Sequence, residues 1–334
     1  MSKQHQLLAL NGVIKRFGQP LSLLERGLNR LGANHQPRYV HAVDQVSLSV
    51  HKKEVVGLVG ESGCGKSTLA RLAVGLMQPD AGTRSWCGQN MDAMTSQQQH
   101  QTRLSIQMVF QDPYASLNPR MRAMDTVTEA PLHHGLISHK EHTEFAHALF
   151  AKVGLAPELL NRYPHQMSGG QRSRLGIARA LAVNPEFLVC DEAVAALDVS
   201  IQAQVLNLFM QLRADLDLTY LFISHDLGVV RHLADRVVIM YLGRVVEEGP
   251  SSDIFSRANH PYTKALLAEM PALQLERKTY SPVSGEMPSP MNPPHGCHFH
   301  PRCPHATETC TQVAPLLRKI APGHSSACHL NDSH

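Results

Sequence analysis

Residues 60–67, with the sequence GESGCGKS, decide the fold of this chain. The apolar run VVGLV at residues 55–59 precedes them and predicts a buried strand, and TLARLA at residues 68–73 predicts the first turns of a helix. A strand, a glycine-rich loop and a helix in this order form the context that the phosphate-binding pattern G-x-x-x-x-G-K-[ST] requires. The plain alternative is a flexible glycine–serine turn, and the flanking strand and helix argue against it.

Each residue type in this phosphate loop has a physical reason. Gly60, Gly63 and Gly65 can take backbone conformations closed to other residues, which lets amide N–H groups close on phosphate oxygens. The helix that follows points its positive end at the same anion. We expect Lys66 to reach the β- and γ-phosphates and the Ser67 hydroxyl to ligate Mg²⁺.

The composition limits the possible functions. The 334 residues are enough for about two domains, and 43% hydrophobic and 18% charged residues describe an ordinary globular protein. A net charge of +3 gives no electrostatic reason to expect nucleic acid as a partner. The sequence has no apolar run of about 18 residues, so we expect no membrane span. The N-terminal residues lack the plan of a secretion signal, which predicts a cytoplasmic compartment.

The first part of the chain contains two predicted strands, at residues 7–17 and 39–50, joined by a loop or a short helix at residues 18–38. From about residue 100 the pattern changes, and residues 138–153 carry apolar side chains at helical spacing. We therefore expect a small helical subdomain, at about residues 112–180, inserted into the nucleotide-binding core.

The core consists of predicted strands at residues 107–110, 187–191, 220–224 and 237–241, with helices between them. This alternation predicts an α/β fold with a mostly parallel sheet, in which ligands bind at the carboxyl ends of the strands. Past residue 280 the chain becomes rich in Pro, His and Cys, and we interpret this part as a separate appendage.

A second nucleotide signal is the run FLVCDE at residues 187–192. A strand that ends in two acids beside a phosphate loop suits Mg²⁺ coordination by Asp191 and activation of water by Glu192. The alternative is a core strand that ends in solvated acids. The presence of the phosphate loop favours the functional interpretation.

A third signal is the run MSGGQ at residues 167–171, which precedes an amphipathic helix at residues 172–182. A serine before two glycines at a helix start can receive an anion, although a plain helix cap would explain it too. If it binds a phosphate, the residues alone leave open which phosphate that is.

Together, these motifs resemble the nucleotide-binding subunit of an ABC transporter, in order and spacing over residues 5–260. The matching positions are residues 60–67 for Walker A, Gln111 for the Q-loop, Ser168, Gly169, Gly170 and Gln171 for the signature motif, Asp191 and Glu192 for Walker B and the catalytic glutamate, residues 196–198 for the D-loop, and His225 for the H-loop. The resemblance implies a P-loop ATPase with a RecA-like mixed-sheet core, an antiparallel β subdomain and an inserted helical subdomain.

The resemblance also implies roles for individual residues. The expected nucleotide contacts are Phe17, Gly60, Ser62, Gly63, Cys64, Gly65, Lys66, Ser67, Thr68, Gln111, Ser168, Gly169, Gly170, Gln171, Asp191 and Asp198. The expected Mg²⁺ ligands are Ser67, Gln111 and Asp191, and the expected catalytic groups are Lys66, Gln111, Glu192 and His225. Phe17 is the choice for the aromatic residue that stacks on adenine, with Tyr39 as the alternative. The family places the signature motif on ATP held by a second subunit.

Within the family, the chain most resembles the oligopeptide/dipeptide (and nickel) import ATPases, and among them the F-type subunit. The stretches that carry this are residues 60–69, 109–119, 162–172, 260–267 and 284–290. It implies two permeases, a second and different ATPase, an extracytoplasmic binding protein, and a peripheral position on the cytoplasmic face of the inner membrane. Dipeptides and oligopeptides are favoured as solutes, nickel chelates and other small solutes remain open, and a soluble ABC ATPase acting on DNA or ribosomes is the alternative from another class.

The C-terminal part, residues 261–334, is expected to form the extension typical of this group. Its cysteines, Cys297, Cys303, Cys310 and Cys328, match a pattern that in the group can hold a [4Fe-4S] cluster. Four thiolates suit either such a cluster or tetrahedral zinc, with nearby histidines as further zinc ligands. A loop with unligated thiols is the remaining alternative.

Overall fold

A computed structural model describes residues 5–18, 29, 39–270 and 285–332. Apart from Gly18 and Asn29, the predicted loop or short helix at residues 18–38 lies outside the described residues. The strands are β1 (Gln6–Gly18), β2 (Tyr39–His51), β3 (Val55–Val59), β4 (Ala81–Trp86), β5 (Gln89–Asn90), β6 (Ile106–Val109), β7 (Phe187–Asp191), β8 (Thr219–Ser224), β9 (Arg236–Tyr241), β10 (Arg244–Pro250), β11 (Arg318–Ala321) and β12 (His324–Ser326). The α-helices are α1 (Lys66–Ala73), α2 (Ser96–Ser105), α3 (Pro113–Ser116), α4 (Ala123–His133), α5 (His142–Lys152), α6 (Gly169–Leu181), α7 (Val199–Leu216), α8 (Leu227–Leu233), α9 (Ser251–Arg257), α10 (Pro261–Ala268) and α11 (Glu308–Gln312).

The core is a sheet with the strand order β11-β12-β10-β9-β3-β8-β7-β6. Its central pairs, β9–β3, β3–β8, β8–β7 and β7–β6, are parallel. Every residue of β3 and β7 is buried, as expected for strands covered on both faces. An antiparallel sheet with the order β2-β1-β4-β5 lies beside it. The predicted combination of a mixed core sheet and an antiparallel β subdomain is therefore confirmed.

The helices α3 to α6 lie between β6 and β7 in the chain, where the inserted helical subdomain was expected. Their interior is apolar, with Val127, Phe150 and Leu175 fully buried. The helix predicted at residues 138–153 is α5, which begins only at His142. Before it, the carboxylate of Glu141 accepts hydrogen bonds from the N–H and the hydroxyl of Ser138, and these bonds form a turn. This subdomain presents the start of α6 at its surface.

The C-terminal part packs on the core and is not the separate appendage that its composition suggested. Strand β12 pairs with β10, and β11 pairs with β12, so that two strands extend the main sheet. The side chains of Tyr262 and Phe299 are buried in the main hydrophobic core. His324 places Nε2 2.7 Å from Oε1 of the buried Glu247. A composition rich in Pro, His and Cys could not reveal these contacts, because strand pairing is made by the backbone. The boundary between residues 260 and 261 stays a prediction.

Candidate functional site

The phosphate loop joins β3 to α1, and two of its glycines are enforced by close packing. A Cβ on Gly60 would lie 2.1 Å from the carbonyl oxygen of Met240, and one on Gly65 would lie 2.0 Å from that of Ala42. Gly65 and Gly63 have φ of 106° and 82°, in the left-handed region that favours glycine. Gly60 is required by contact and not by a positive φ, which differs from the prediction.

Lys66 lies at the centre of this loop. Its Nζ donates to the carbonyl oxygens of Gly60 and Glu61, over 2.8 and 3.0 Å, and only 4% of the residue is exposed. The same nitrogen lies 3.9 Å from Oε1 of Glu192. The loop therefore presents an ammonium group to any anion that enters it.

Asp191 and Ser67 form an oxygen-rich pair beside the loop. The Ser67 hydroxyl donates to Oδ1 of Asp191 over 3.0 Å. Burial raises the pKa of Asp191, and the charge of Glu192 adds to this, while the hydrogen bond from Ser67 opposes it. A hydroxyl and a desolvated carboxylate are hard oxygen donors of the kind that Mg²⁺ prefers. The residues present thus fit the magnesium ion that the motif implies.

Glu192 is the point at which the other predicted catalytic groups meet. The amide Nε2 of Gln111 donates to Oε2 of Glu192 over 2.8 Å, and Nδ1 of His225 lies 3.5 Å from Oε1. Gln111, Glu192 and His225 follow β6, β7 and β8, so the carboxyl ends of three parallel strands supply them. In this structure Gln111 bonds to Glu192, whereas the expected contact of Gln111 with Mg²⁺ stays a prediction.

A cavity of about 350 Å³ opens over the loop. Its lining residues are Phe17, Val40, Ala42, Ser62, Gly63, Gly65, Lys66, Ser67, Thr68, Gln111 and Glu192. Phe17 is 39% exposed and lines the cavity, whereas Tyr39, which pairs with Gly18 on the neighbouring strand, does not. The geometry therefore favours Phe17 as the aromatic residue. Val40 and Ala42 were missed by the sequence analysis, because nothing in strand β2 signals proximity to the loop.

Cys64 was predicted to contact nucleotide, but its side chain lies beneath the loop. The residue is 1% exposed, and burial raises the pKa of its thiol to about 11. A Cβ on Gly60 would lie 2.7 Å from its Sγ. The thiol therefore packs against the loop from below, and any contact with nucleotide must come from the backbone of this residue.

The signature residues lie on a different surface of the chain. Ser168 is the N-cap of α6, and it shares reciprocal hydrogen bonds with Gln171, so the predicted helix cap is present. Gly170 packs close to Ile201, one of the first residues of α7. Among the described residues, the cavity over the phosphate loop is lined by none of the four signature residues and not by Asp198. In this structure the signature motif therefore does not contribute to the cavity over the phosphate loop of the same chain.

The four C-terminal cysteines are the predicted ligands of an iron–sulfur cluster or a zinc ion. The N–H of Cys297 donates to the carbonyl oxygen of Cys310 over 2.8 Å, and burial raises the pKa of the Cys297 thiol to about 11, with the other three thiols adding to the shift. Among residues 5–18, 29, 39–270 and 285–332, no group of three or more His, Cys, Asp or Glu side chains is arranged to hold a metal ion. The iron–sulfur and zinc hypotheses gain no support here, and metal analysis of the purified chain is the measurement that tests them.

In the described part of the chain, no helix combines the length and the apolar character needed to cross a membrane.

Comparisons with known proteins agree with this architecture. The family model described as ABC transporter matches residues 43–195, and that described as oligopeptide/dipeptide transporter, C-terminal region, matches residues 246–310. The chain is 45% identical to the oligopeptide transport ATP-binding protein AppF of Bacillus subtilis, over 98% of each protein. It is 48% identical to OppF of Salmonella typhimurium, over 84% of this chain and 85% of that one. The ATP-binding cassette MJ0796, a dimer in a post-hydrolysis state bound to ADP and Pi, is 26% identical and superposes with a TM-score of 0.62, over 73% of this chain and 99% of that one.

The fold and the site define an ATPase of the P-loop class, and the chain belongs to the ATP-binding subunits of the oligopeptide/dipeptide ABC transporter family. ATP is the nucleotide of this class.

Proposed function

We propose that this chain binds Mg²⁺-ATP over its phosphate loop, hydrolyses it, and thereby drives the import of dipeptides or oligopeptides. The observation that carries the proposal is the convergence on Glu192 of Gln111, His225 and Lys66, with the nearest atom pairs 2.8, 3.5 and 3.9 Å apart. The peptide assignment is supported by the names of the relatives, AppF and OppF, which are oligopeptide transport proteins. An importer of nickel chelates is the runner-up.

The residues divide the chemistry among them. Ser67 and Asp191 would hold Mg²⁺, and the ion when bound offsets charge on the phosphates. Lys66 neutralises the β- and γ-phosphate oxygens from the loop side. Glu192 accepts a hydrogen bond from the attacking water and draws its proton away, while Gln111 and His225 fix the carboxylate and the γ-phosphate.

The exposed residues Ser168, Asp198 and Val199 form what we call the signature surface. This surface supports a second ATPase as a partner. Val199, the first residue of α7, is 84% exposed. Asp198, the N-cap residue of α7, is also exposed, and its side chain makes no capping hydrogen bond. An exposed valine next to an exposed helix cap suits burial against another subunit. We propose that Ser168 and the amides behind it bind the γ-phosphate of ATP held by that subunit, and that the subunit is a different chain.

A membrane partner has a candidate surface beside Gln111. A cleft of about 770 Å³ lies between the core and the helical subdomain, and Leu76, 62% exposed, is among its lining residues with Phe110 and Ala130. The cleft suits a helix of a permease, because Leu76, Phe110 and Ala130 give its walls an apolar part among charged residues and because it borders the catalytic site. We propose that two permeases and an extracytoplasmic binding protein complete the importer, with this chain on the cytoplasmic face of the inner membrane.

The test is an affinity pull-down of the full chain from detergent-solubilised membranes, followed by mass spectrometry. We expect two multi-helix membrane proteins and a second ATPase. Leu76→Asp should abolish their recovery, whereas the matched control Leu136→Asp, 50% exposed outside the cleft, should not. Recovery of ribosomal proteins or DNA-bound proteins in place of permeases would overturn the transport assignment and leave the ATP site standing.

A further inference from the structure

Two residues from the C-terminal part of the chain hold the phosphate loop. Nη1 of Arg302 lies 3.0 and 3.1 Å from the two carboxylate oxygens of Glu61, the second residue of the loop. The backbone N–H of Glu61 donates to the phenol oxygen of Tyr262 over 3.0 Å. Tyr262 lies in α10, and Arg302 is the last residue of a 3-10 turn at His300–Arg302. Both side chains thus reach across some 200 or more positions of the chain to a single loop residue.

The two side chains that contact Glu61 are buried and closely packed. Tyr262 is 0% and Arg302 is 8% exposed. The ring of Tyr262 lies 4.7 Å from that of Tyr241 and 5.4 Å from that of Phe299, and Tyr241 and Phe299 are 5.3 Å apart. Nη1 of Arg302 also lies 3.4 Å from the Tyr241 phenol oxygen. Packed aromatic rings restrict side-chain movement, so the donor and the acceptor that hold Glu61 have fixed positions.

Glu61, held in this way, also contacts Lys66 of the phosphate loop. Its carbonyl oxygen accepts a hydrogen bond from Nζ of Lys66 over 3.0 Å. The carboxylate, the N–H and the carbonyl of one residue are therefore bonded to Arg302, Tyr262 and Lys66 respectively. A shift of Glu61 would move both the lysine that meets the phosphates and the amides that surround them.

We propose that Arg302 and Tyr262 are positioning residues of the phosphate loop, through which the C-terminal segment sets the affinity of the site for nucleotide. The proposal rests on the function proposed above and adds a role for residues outside the ATPase core. The competing explanation is that the same contacts only anchor the C-terminal segment. The two explanations differ in what they predict for nucleotide binding by folded protein.

The experiment measures the Kd for Mg²⁺-ADP, the KM and kcat for ATP, and the unfolding temperature of the full-length chain. Arg302→Gln and Tyr262→Phe should each raise Kd and KM about tenfold and change kcat little, because the loop binds phosphate less well while Glu192 is untouched. Arg302→Lys should recover part of the affinity. The matched control is Arg318→Gln, which breaks an exposed ion pair with Asp332 in the same segment and should leave Kd unchanged.

A double-mutant cycle separates positioning from anchoring. If Arg302 acts through Glu61, Arg302→Gln added to Glu61→Gln should raise Kd no further. Wild-type Kd and KM in folded Arg302→Gln and Tyr262→Phe, with a lower unfolding temperature only, would overturn the proposal. If Arg302→Gln does not fold, Tyr262→Phe, which removes only one hydroxyl, decides between positioning and anchoring. Failure of the wild-type chain to bind nucleotide would instead contradict the proposed function.

Discussion

The side-chain amide of Gln111 donates to Oε2 of Glu192 over 2.8 Å, although the two residues lie 81 positions apart. Glu192 has a φ of 47°, in the left-handed region that glutamate rarely adopts, and its N–H donates to the carbonyl of Ile223. The neighbouring strand thus holds a costly backbone conformation, and Gln111 holds the side chain. The position of this carboxylate is therefore fixed from both ends, as a group that must orient a water molecule requires.

Replacing the carboxylate should separate binding from hydrolysis. In Glu192→Gln the shape is kept but the base is lost, so we expect ATP hydrolysis to fall by about 10²–10⁴-fold with the Kd for ATP little changed. Phosphate release and equilibrium binding measure the two quantities. Glu186→Gln, at the other end of β7 and exposed, is the control and should behave as wild type. Normal turnover in Glu192→Gln would show that Glu192 is not the group that activates the attacking water.

Removing the charge of Asp191 should stabilise the metal-free protein. Burial raises the pKa of this carboxyl, so above that raised pKa its charge lowers stability, and the loss is relieved as the pH falls through it. Asp191→Asn should therefore unfold at a higher temperature than wild type at pH 7 with EDTA present, and the difference should shrink in acid. Hydrolysis supported by Mg²⁺ should be lost. Thermal scans at several pH values test this, and a lower unfolding temperature at pH 7 would contradict it.

Blocking the signature surface should abolish hydrolysis without weakening nucleotide binding to the same chain. Ser168 is exposed and does not line the cavity of its own chain. Ser168→Arg should therefore keep the wild-type Kd for ATP but prevent ATP-dependent association with the partner ATPase, which sedimentation measures. His165→Arg, also exposed and three residues earlier, is the control for added charge on this face. A weaker Kd in Ser168→Arg would place the signature motif at its own phosphate loop.

Two buried histidines should make the protein sensitive to acid. Burial lowers the pKa of His260 and of His298 from 6.5 to about 4, with the charges of Lys264 and Arg244 adding to the respective shifts. As the pH falls, these histidines bind protons in the unfolded state at a higher pH than in the folded state. The free energy of unfolding is therefore at its full value above about pH 6.5 and falls as the pH drops towards 4.

Nδ1 of His260 accepts a hydrogen bond from the N–H of Tyr262 over 3.1 Å, and Nδ1 of His298 lies 3.0 Å from the carbonyl oxygen of Leu242. The combined change of His260→Asn and His298→Asn should flatten this pH dependence, because the asparagine amide can make both hydrogen bonds without titrating. Denaturant unfolding between pH 4 and pH 7 measures the slope. His305→Asn, at an exposed position, should leave the slope unchanged. An equally steep slope in the double variant would show that other groups cause the acid sensitivity.

Much of the fold followed from the sequence, for reasons that particular residues illustrate. The strand, loop and helix around Lys66 were predicted because their pattern is contiguous. The cap at Ser168 was predicted because a serine before two glycines at a helix start is a local pattern, whereas its pairing with Gln171 was seen only in the structure. The burial of the Cys64 side chain was not foreseen, because a motif fixes the order of residues in a loop and not the side to which each side chain points. The C-terminal strands escaped prediction because β11 and β12 are short and polar, and only pairing with β10 defines them.

By itself the sequence determined the chemistry of the phosphate loop and the identity of the acids and the histidine that follow the core strands. These features are local, since hydrogen-bonding groups, glycines and apolar periodicity act between neighbours in the chain. Only the tertiary structure decided that Phe17 lines the cavity, that Gln111 bonds to Glu192, and that Arg302 reaches Glu61 across 241 positions. Such contacts depend on how strands and helices pack, and packing between distant segments leaves no periodic trace in either of them.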